Sequence, residues 1–138
     1  MKKIALFLIL IIFTLNASTS ILNDVIFKNN NSDYLKAKEL FNNREYKKSA
    51  GILFDIIQKE NNKDAFQLFG YQLEYGLGVE QNCKLAAGMY FSSIKLGNCN
   101  AFNNLIDMVK KNHCIKKSKK NKITIVGLKK ELEKCLSK

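Results

Sequence analysis

Four cysteines carry most of the chemistry that this sequence could perform. Cys83, Cys99, Cys114 and Cys135 are an even set, which favours two disulfide bonds in an oxidising compartment. Zinc binding is disfavoured, because the chain has no C-x-x-C pair and its only histidine, His113, directly precedes Cys114. Adjacent side chains on a helix point about 100° apart, which is a poor start for a tetrahedral site. We therefore predict neither a metal nor a cofactor.

A serine motif is the second candidate for chemistry. Ser92-Ser93-Ile94-Lys95 matches S-x-x-K, the nucleophile motif of serine β-lactamases. The partner motifs S-D-N and K-T-G are absent, and a chance match is expected in so lysine-rich a chain. Ser92 also falls in the middle of a predicted helix, without an obvious pocket or oxyanion donor. We therefore predict no catalytic residue and leave enzymatic activity open.

The N-terminus is typical of a secretory signal peptide. Two lysines precede an apolar run from Ile4 to Phe13, and small and polar residues follow. The run is too short to cross a bilayer comfortably, since about 20 residues are needed. We predict a signal peptide over residues 1–20, a loose lead-in over residues 21–31, and a periplasmic or secreted chain with no integral membrane segment after cleavage. An uncleaved N-terminal anchor is the alternative.

The net charge is concentrated at the C-terminal end. The formal charge of +11 falls to +9 without Lys2 and Lys3. Residues 21–109 contain ten basic and ten acidic side chains, so residues 110–138 carry the whole excess. This predicts contact with an anionic cell-envelope surface through residues 110–138, and a merely solvated lysine-rich end is the alternative. Nucleic acid is not expected as a partner, because an exported chain meets envelope surfaces first.

From Ser32 onward, apolar residues recur at steps of three and four, which predicts helices throughout. The segment KITIV at 122–126 contains β-favouring residues, but we interpret it as the start of the last helix. The first predicted helix begins at Ser32 or Asp33, and the others cover Glu45–Glu60, Lys63–Tyr75, Asn82 to Gly97, Asn98–Asn112 and Lys122–Leu136.

Three glycines mark the ends of these helices. Gly76 falls where the third helix must stop and suits a left-handed C-terminal cap. Gly78 allows the next loop to turn tightly, and Gly97 ends the fourth helix. Small residues between them let two helices approach. An interval of 36 residues, typical of stacked helical hairpins, separates Ala50 from Ala86, Phe54 from Tyr90, Ala65 from Ala101, and Phe69 from Leu105.

This spacing resembles the Sel-one-like repeat, a relative of the tetratricopeptide repeat. The resemblance implies an all-α fold, a short α/α solenoid of antiparallel helical hairpins with a C-terminal capping helix. It places a tetratricopeptide-like hairpin at residues 32–62 and a Sel-one-like hairpin at 63–98. Residues 99–138 would hold the first helix of a second Sel-one-like repeat and the basic capping helix. The matching residues are Ala65, Gly70, Gly76, Gly78, Val79, Ala86, Tyr90, Gly97, Ala101 and Leu105.

Consecutive helices in such a stack run antiparallel, which predicts how the cysteines pair. Cys83 begins the fourth helix and Cys114 follows the fifth, so both lie at one end of the stack. Cys99 begins the fifth helix and Cys135 ends the sixth, so both lie at the other end. We predict Cys83–Cys114 and Cys99–Cys135 bonds. A helix of about 14 residues separates Cys114 from Cys135 by roughly 20 Å, too far for a bond.

Exported Sel-one-like chains with paired cysteines resemble a bacterial cysteine-rich family often described as β-lactamases, some members of which bind penicillin-type compounds. That resemblance implies β-lactam binding or hydrolysis as the alternative function. By analogy with tetratricopeptide proteins, the first helix of each hairpin lines a concave face that binds a protein or peptide, with amides and carboxylates holding its backbone. A merely solvated helix face is the alternative. The residues at these positions are Gln67, Tyr71, Glu74, Asn100, Asn103, Asp107 and Lys110.

Overall fold

A computed structural model describes residues 32–111, 114 and 119–137 of the chain. The predicted signal peptide at 1–20, the lead-in at 21–31 and His113 lie outside the described residues. The C-terminal basic segment is described only in part, because residues 112–113, 115–118 and 138 are also outside.

Within the described residues the regular structure is helical and contains no strand, which confirms the all-α class. The KITIV segment lies inside the last helix, as predicted, although that helix begins three residues earlier than expected. None of the helices in the described ranges is both long and apolar enough to cross a membrane. Helix α1 includes residues 32–42, and it is followed by α2 (Tyr46–Lys59), α3 (Lys63–Tyr75), α4 (Cys83–Lys95), α5 (Ala101–Lys110) and α6 (Lys119–Leu136).

Each helix from α2 to α5 packs against the next one along the chain, and the interface between α3 and α4 is the most extensive of these four. Leu53 of α2, Phe69 of α3 and Tyr90 of α4 are large core side chains at these interfaces. Small residues lie where helices approach: adding a Cβ atom to Gly70 would bring it to 2.9 Å from Cε1 of Tyr90. Close packing of α3 against α4, the two helices of this hairpin, therefore depends on the small residue that the sequence places there.

Burial agrees with the interval of 36 residues at three of the four predicted pairs. In α3 and α5, Ala65 and Ala101 are fully buried, and Phe69 and Leu105 are also in the core. In α2 and α4, Ala50 and Ala86 are both buried as well. The fourth pair differs in its environment, because Phe54 is 50% exposed and Tyr90 is fully buried.

The loop between α3 and α4 has the geometry that its glycines predict. Gly76 caps α3 in the left-handed region, with φ of 67°, and its N–H donates to the carbonyl of Gln72. Gly78 also has a positive φ, of 73°, and lies directly against the backbone of Tyr46 at the start of α2. Asn82 then caps α4, because its side chain accepts a hydrogen bond of 2.9 Å from the N–H of Leu85.

Two disulfide bonds tie the last three helices together. One joins Cys83 to Cys114 across a Cα–Cα distance of 5.4 Å, and the other joins Cys99 to Cys135 across 5.7 Å. This is the pairing that the antiparallel helix order predicts. No cysteine is left free. Disulfides of this kind are typical of proteins that fold outside the reducing cytoplasm.

Candidate binding groove

A groove with a volume of about 280 Å³ runs between α1, α3 and α5. These helices are the first members of successive hairpins, so the groove lies where the sequence predicts a binding face. Helix α3 forms its centre, and α1 and α5 supply side chains from either side. The residues that line it are Tyr34 and Phe41 of α1, Asp64, Gln67, Leu68 and Tyr71 of α3, and Asn104 of α5.

Aromatic rings form one side of the groove. The rings of Phe41 and Tyr71 meet edge to face with their centroids 5.9 Å apart. Behind them, Tyr75 lies against Tyr71 at 4.6 Å, and Tyr46 contacts Phe41 at 5.2 Å. Contacts of this geometry fix the orientation of each ring. Tyr71 therefore presents a pre-positioned aromatic surface to the groove.

A hydrogen-bonded chain of amide side chains includes two residues that line the groove, Gln67 and Asn104. The Nδ2 atom of the buried Asn98 donates to Oε1 of Gln67 at 2.8 Å. Nε2 of Gln67 in turn donates to Oδ1 of Asn104 at 2.7 Å. The chain connects the loop before α5 to both α3 and α5, so it holds the two helices in register. Each amide has two donors and two acceptor positions, which leaves capacity for a ligand.

Asp64 supplies the negative charge of the groove. It lies in the first turn of α3, where the helix dipole favours an anion. Its Oδ1 atom is 3.5 Å from Nδ2 of Asn98, at the end of the amide chain. Burial, and then the charge of Asp64, raise the pKa of the Tyr34 hydroxyl above its ordinary value. Tyr34 therefore remains neutral beside this carboxylate at physiological pH.

The structure brings together only part of the predicted binding set. Gln67 and Tyr71 line the groove. Glu74 does not, because its side chain is only 2% exposed and its Oε2 atom accepts a hydrogen bond of 2.7 Å from the hydroxyl of Tyr90. The expected position of Glu74 on a concave face is thus corrected to the interior between α3 and α4.

The predicted stripe on α5 lies on another side of that helix. Asn100, Asn103 and Lys110 are exposed and do not line the groove. Asp107 pairs with Lys111 at 3.1 Å in an exposed ion pair on the same helix end. Because neighbouring helix positions are about 100° apart, the side chain that reaches the groove is the next residue, Asn104.

The sequence analysis missed several lining residues as site residues. Tyr34 and Phe41 of α1 are not among the residues predicted for the binding face. Asp64 and Leu68 are not among them either, although they fall at steps of three and four from the predicted Gln67 and Tyr71. That periodicity was the available signal for the groove side of α3.

The serine motif and a metal site are the other candidates for chemistry. Ser92 is half-buried in α4 and lines neither the groove nor a smaller cleft of the described residues. The smaller cleft, of about 170 Å³, lies between α1 and α2 and mixes acidic and basic side chains. Among the described residues there is no cluster of His, Cys, Asp and Glu that could hold a metal ion.

Comparisons of the chain with protein-family models, with curated proteins and with solved structures found no match. Any functional conclusion therefore depends on the chemistry and geometry of the groove.

Proposed function

We propose that this chain is an exported helical-repeat scaffold that binds a protein or peptide partner in the groove between α1, α3 and α5. The main support for this proposal is the position of the groove, which is lined by the first helix of each of three successive hairpins. The resemblance to Sel-one-like and tetratricopeptide repeats is part of the proposal, as are the short solenoid and a periplasmic or secreted location. The two disulfides support an oxidising location.

The composition of the groove favours an extended peptide over a substrate that is chemically transformed. The amides of Gln67 and Asn104 can pair with peptide N–H and C=O groups, and the ring of Tyr71 offers a rigid apolar surface for a side chain. Among the described residues that line it there is neither a nucleophile with an adjacent base nor a cluster of metal ligands. Binding is therefore the function that these side chains serve best.

The proposal is tested by selecting peptides from a displayed random library against the mature, disulfide-bonded chain. Affinities of selected peptides are then measured by fluorescence polarisation for the wild type and for Gln67→Ala and Tyr71→Leu. We expect each substitution to weaken binding about five- to thirty-fold, which corresponds to about 1–2 kcal/mol. Gln58→Ala is the matched control, because Gln58 is an exposed amide of α2 outside the groove.

Two results would contradict the proposal. One is a library that yields no specific peptide, and the other is a set of peptides that binds both groove variants as tightly as the wild type. If binding is lost instead in the double variant Asn103→Ala/Asp107→Ala, the site is the exposed stripe of α5 and the groove assignment is wrong.

A further inference from the structure

The groove combines three aromatic rings with one carboxylate and no cationic side chain. Among the described residues that line it, Asp64 is the one that carries a charge, and the rings are those of Tyr34, Phe41 and Tyr71. We propose that the groove accepts a cationic side chain, a lysine or an arginine, of the bound peptide. This inference rests on the proposed function, because it specifies which residue of the peptide the groove selects.

The aromatic rings favour a cation because their faces carry partial negative charge. A cation within about 6 Å of a ring centroid is attracted by about 0.5–2 kcal/mol, more when water is excluded. Tyr75 lies against Tyr71 and Phe41 meets it edge to face, so the ring of Tyr71 is held in place when a ligand arrives. Binding a cation would therefore cost little conformational entropy in the side chains that line the groove.

The carboxylate of Asp64 makes the choice of a cation selective. An apolar side chain in the groove would remove water from Asp64 without supplying a counter-charge, which is unfavourable. A cationic side chain compensates this loss, and the amide oxygens of Gln67 and Asn104 can accept further hydrogen bonds from it. An acidic side chain is disfavoured because it would lie near the carboxylate of Asp64, and none of the described lining residues is a cation that could compensate the repulsion.

The size of the groove fits one side chain rather than a larger ligand. Its volume of about 280 Å³ lies just below the range of about 300–1,000 Å³ that is usual for sites of whole drug-sized molecules. The alkyl stem of a lysine or arginine can pack on Leu68 and Phe41 while its charged end reaches Asp64. A basic residue is thus the side chain that fits both the size and the charge of the groove.

The test uses blocked pentapeptides, acetyl-Gly-Gly-X-Gly-Gly-amide, titrated into the isotope-labelled, disulfide-bonded mature chain and followed by amide NMR shifts. The residue X is lysine, arginine, trimethyl-lysine, norleucine or glutamate. We expect the lysine, arginine and trimethyl-lysine peptides to shift the amide signals of residues 64–71 and 104. We expect them to bind at least tenfold more tightly than the norleucine peptide. Raising the salt concentration should weaken the cationic peptides and leave norleucine unchanged.

A variant pair isolates the carboxylate. Asp64→Asn should weaken the lysine peptide about tenfold and leave the norleucine peptide unaffected. The fold should be retained, since Asn62 caps α3 through its own bonds to the N–H groups of Asp64 and Ala65. The control is Glu39→Gln, which removes an exposed carboxylate of α1 outside the groove.

The outcomes separate this inference from the proposed function. If norleucine binds as tightly as lysine, or if no probe shifts the groove signals, selection of a cation is refuted. Library peptides that bind the groove without any basic residue would refute it in the same way while leaving the proposed function intact. A protein that binds no peptide at all would refute both the selection of a cation and the proposed function.

Discussion

Two glycines of the loop between α3 and α4 allow a matched test of how the hairpins are held together. Gly76 and Gly78 have similar positive φ values, of 67° and 73°. A Cβ atom at position 76 would lie 3.4 Å from the nearest atom, Cβ of Gln81. At position 78 it would lie 2.3 Å from the carbonyl carbon of Tyr46 and 2.4 Å from the backbone nitrogen of Lys47. Alanine would therefore strain the backbone similarly at both positions, but only at position 78 would its Cβ atom overlap neighbouring atoms.

The expected free energies follow from this difference. Holding an alanine in the left-handed region costs about 1–2 kcal/mol, which applies to both Gly76→Ala and Gly78→Ala. At Gly78 the new atom overlaps backbone that cannot rotate away, so the loop must move off the start of α2. Overpacking of this kind adds about 1–3 kcal/mol. We expect Gly78→Ala to destabilise the protein by about 2–5 kcal/mol and Gly76→Ala by about 1–2 kcal/mol.

The measurement is urea unfolding of the disulfide-bonded chain, monitored by circular dichroism at 222 nm. The free energy of unfolding is taken from the linear extrapolation for each variant. Gly97→Ala is a third variant, since Gly97 has a φ of 89° and open space around it, and it should behave like Gly76→Ala. Equal destabilisation by all three substitutions would show that the contact of Gly78 with Tyr46 contributes nothing, and the packing argument would be refuted.

Three further predictions follow from the buried contacts. Removing the bond that closes a separation of 36 residues with Cys99→Ser/Cys135→Ser should cost about 4 kcal/mol in the chain-entropy model, and an unchanged urea midpoint would contradict this. Tyr90→Phe removes a donor to the buried Glu74 carboxylate and should cost about 1–3 kcal/mol in the same assay, whereas a neutral result would mean that another donor replaces it. Burial, and then the hydrogen bond and charge of Glu74, raise the pKa of Tyr90 far above 10.0. The unfolded chain therefore loses this proton first, so stability should fall as pH rises above about 10 in the wild type, and less so in Tyr90→Phe.

The parts of the fold that the sequence predicts best are governed by local physics. The bounds of α3 agree with the prediction, because Asn62 and Gly76 are strong start and stop signals at its ends. The cysteine pairing was predictable once the helix ends were known, since antiparallel neighbours bring alternate helix ends together. Both inferences need only helix periodicity and capping chemistry.

The predictions that the structure corrects concern side chains whose environment depends on residues far along the chain. Glu74 looks like a surface residue of an amphipathic helix, but its partner Tyr90 is 16 residues away on the next helix. Asn103 and Asn104 are indistinguishable by type, and only the rotation of α5 against α3 decides which one meets Gln67. The same holds for Phe54, which is 50% exposed although Tyr90, 36 residues further on, is fully buried.

The placement of the Cys99–Cys135 bond agrees with the weak hydrophobic burial of the last helix. Large core side chains of α2 and α4, such as Leu53 and Tyr90, are fully enclosed. Among the described side chains of α6, Leu128 and Leu132 are only partly buried and Val126 is 65% exposed. Such a helix gains little by docking on α5, so a covalent link supplies what burial does not. The bond to Cys135 is therefore explained by the stability of the C-terminal helix. The groove contains no cysteine, so the selectivity of any ligand must come from its aromatic, amide and carboxylate side chains.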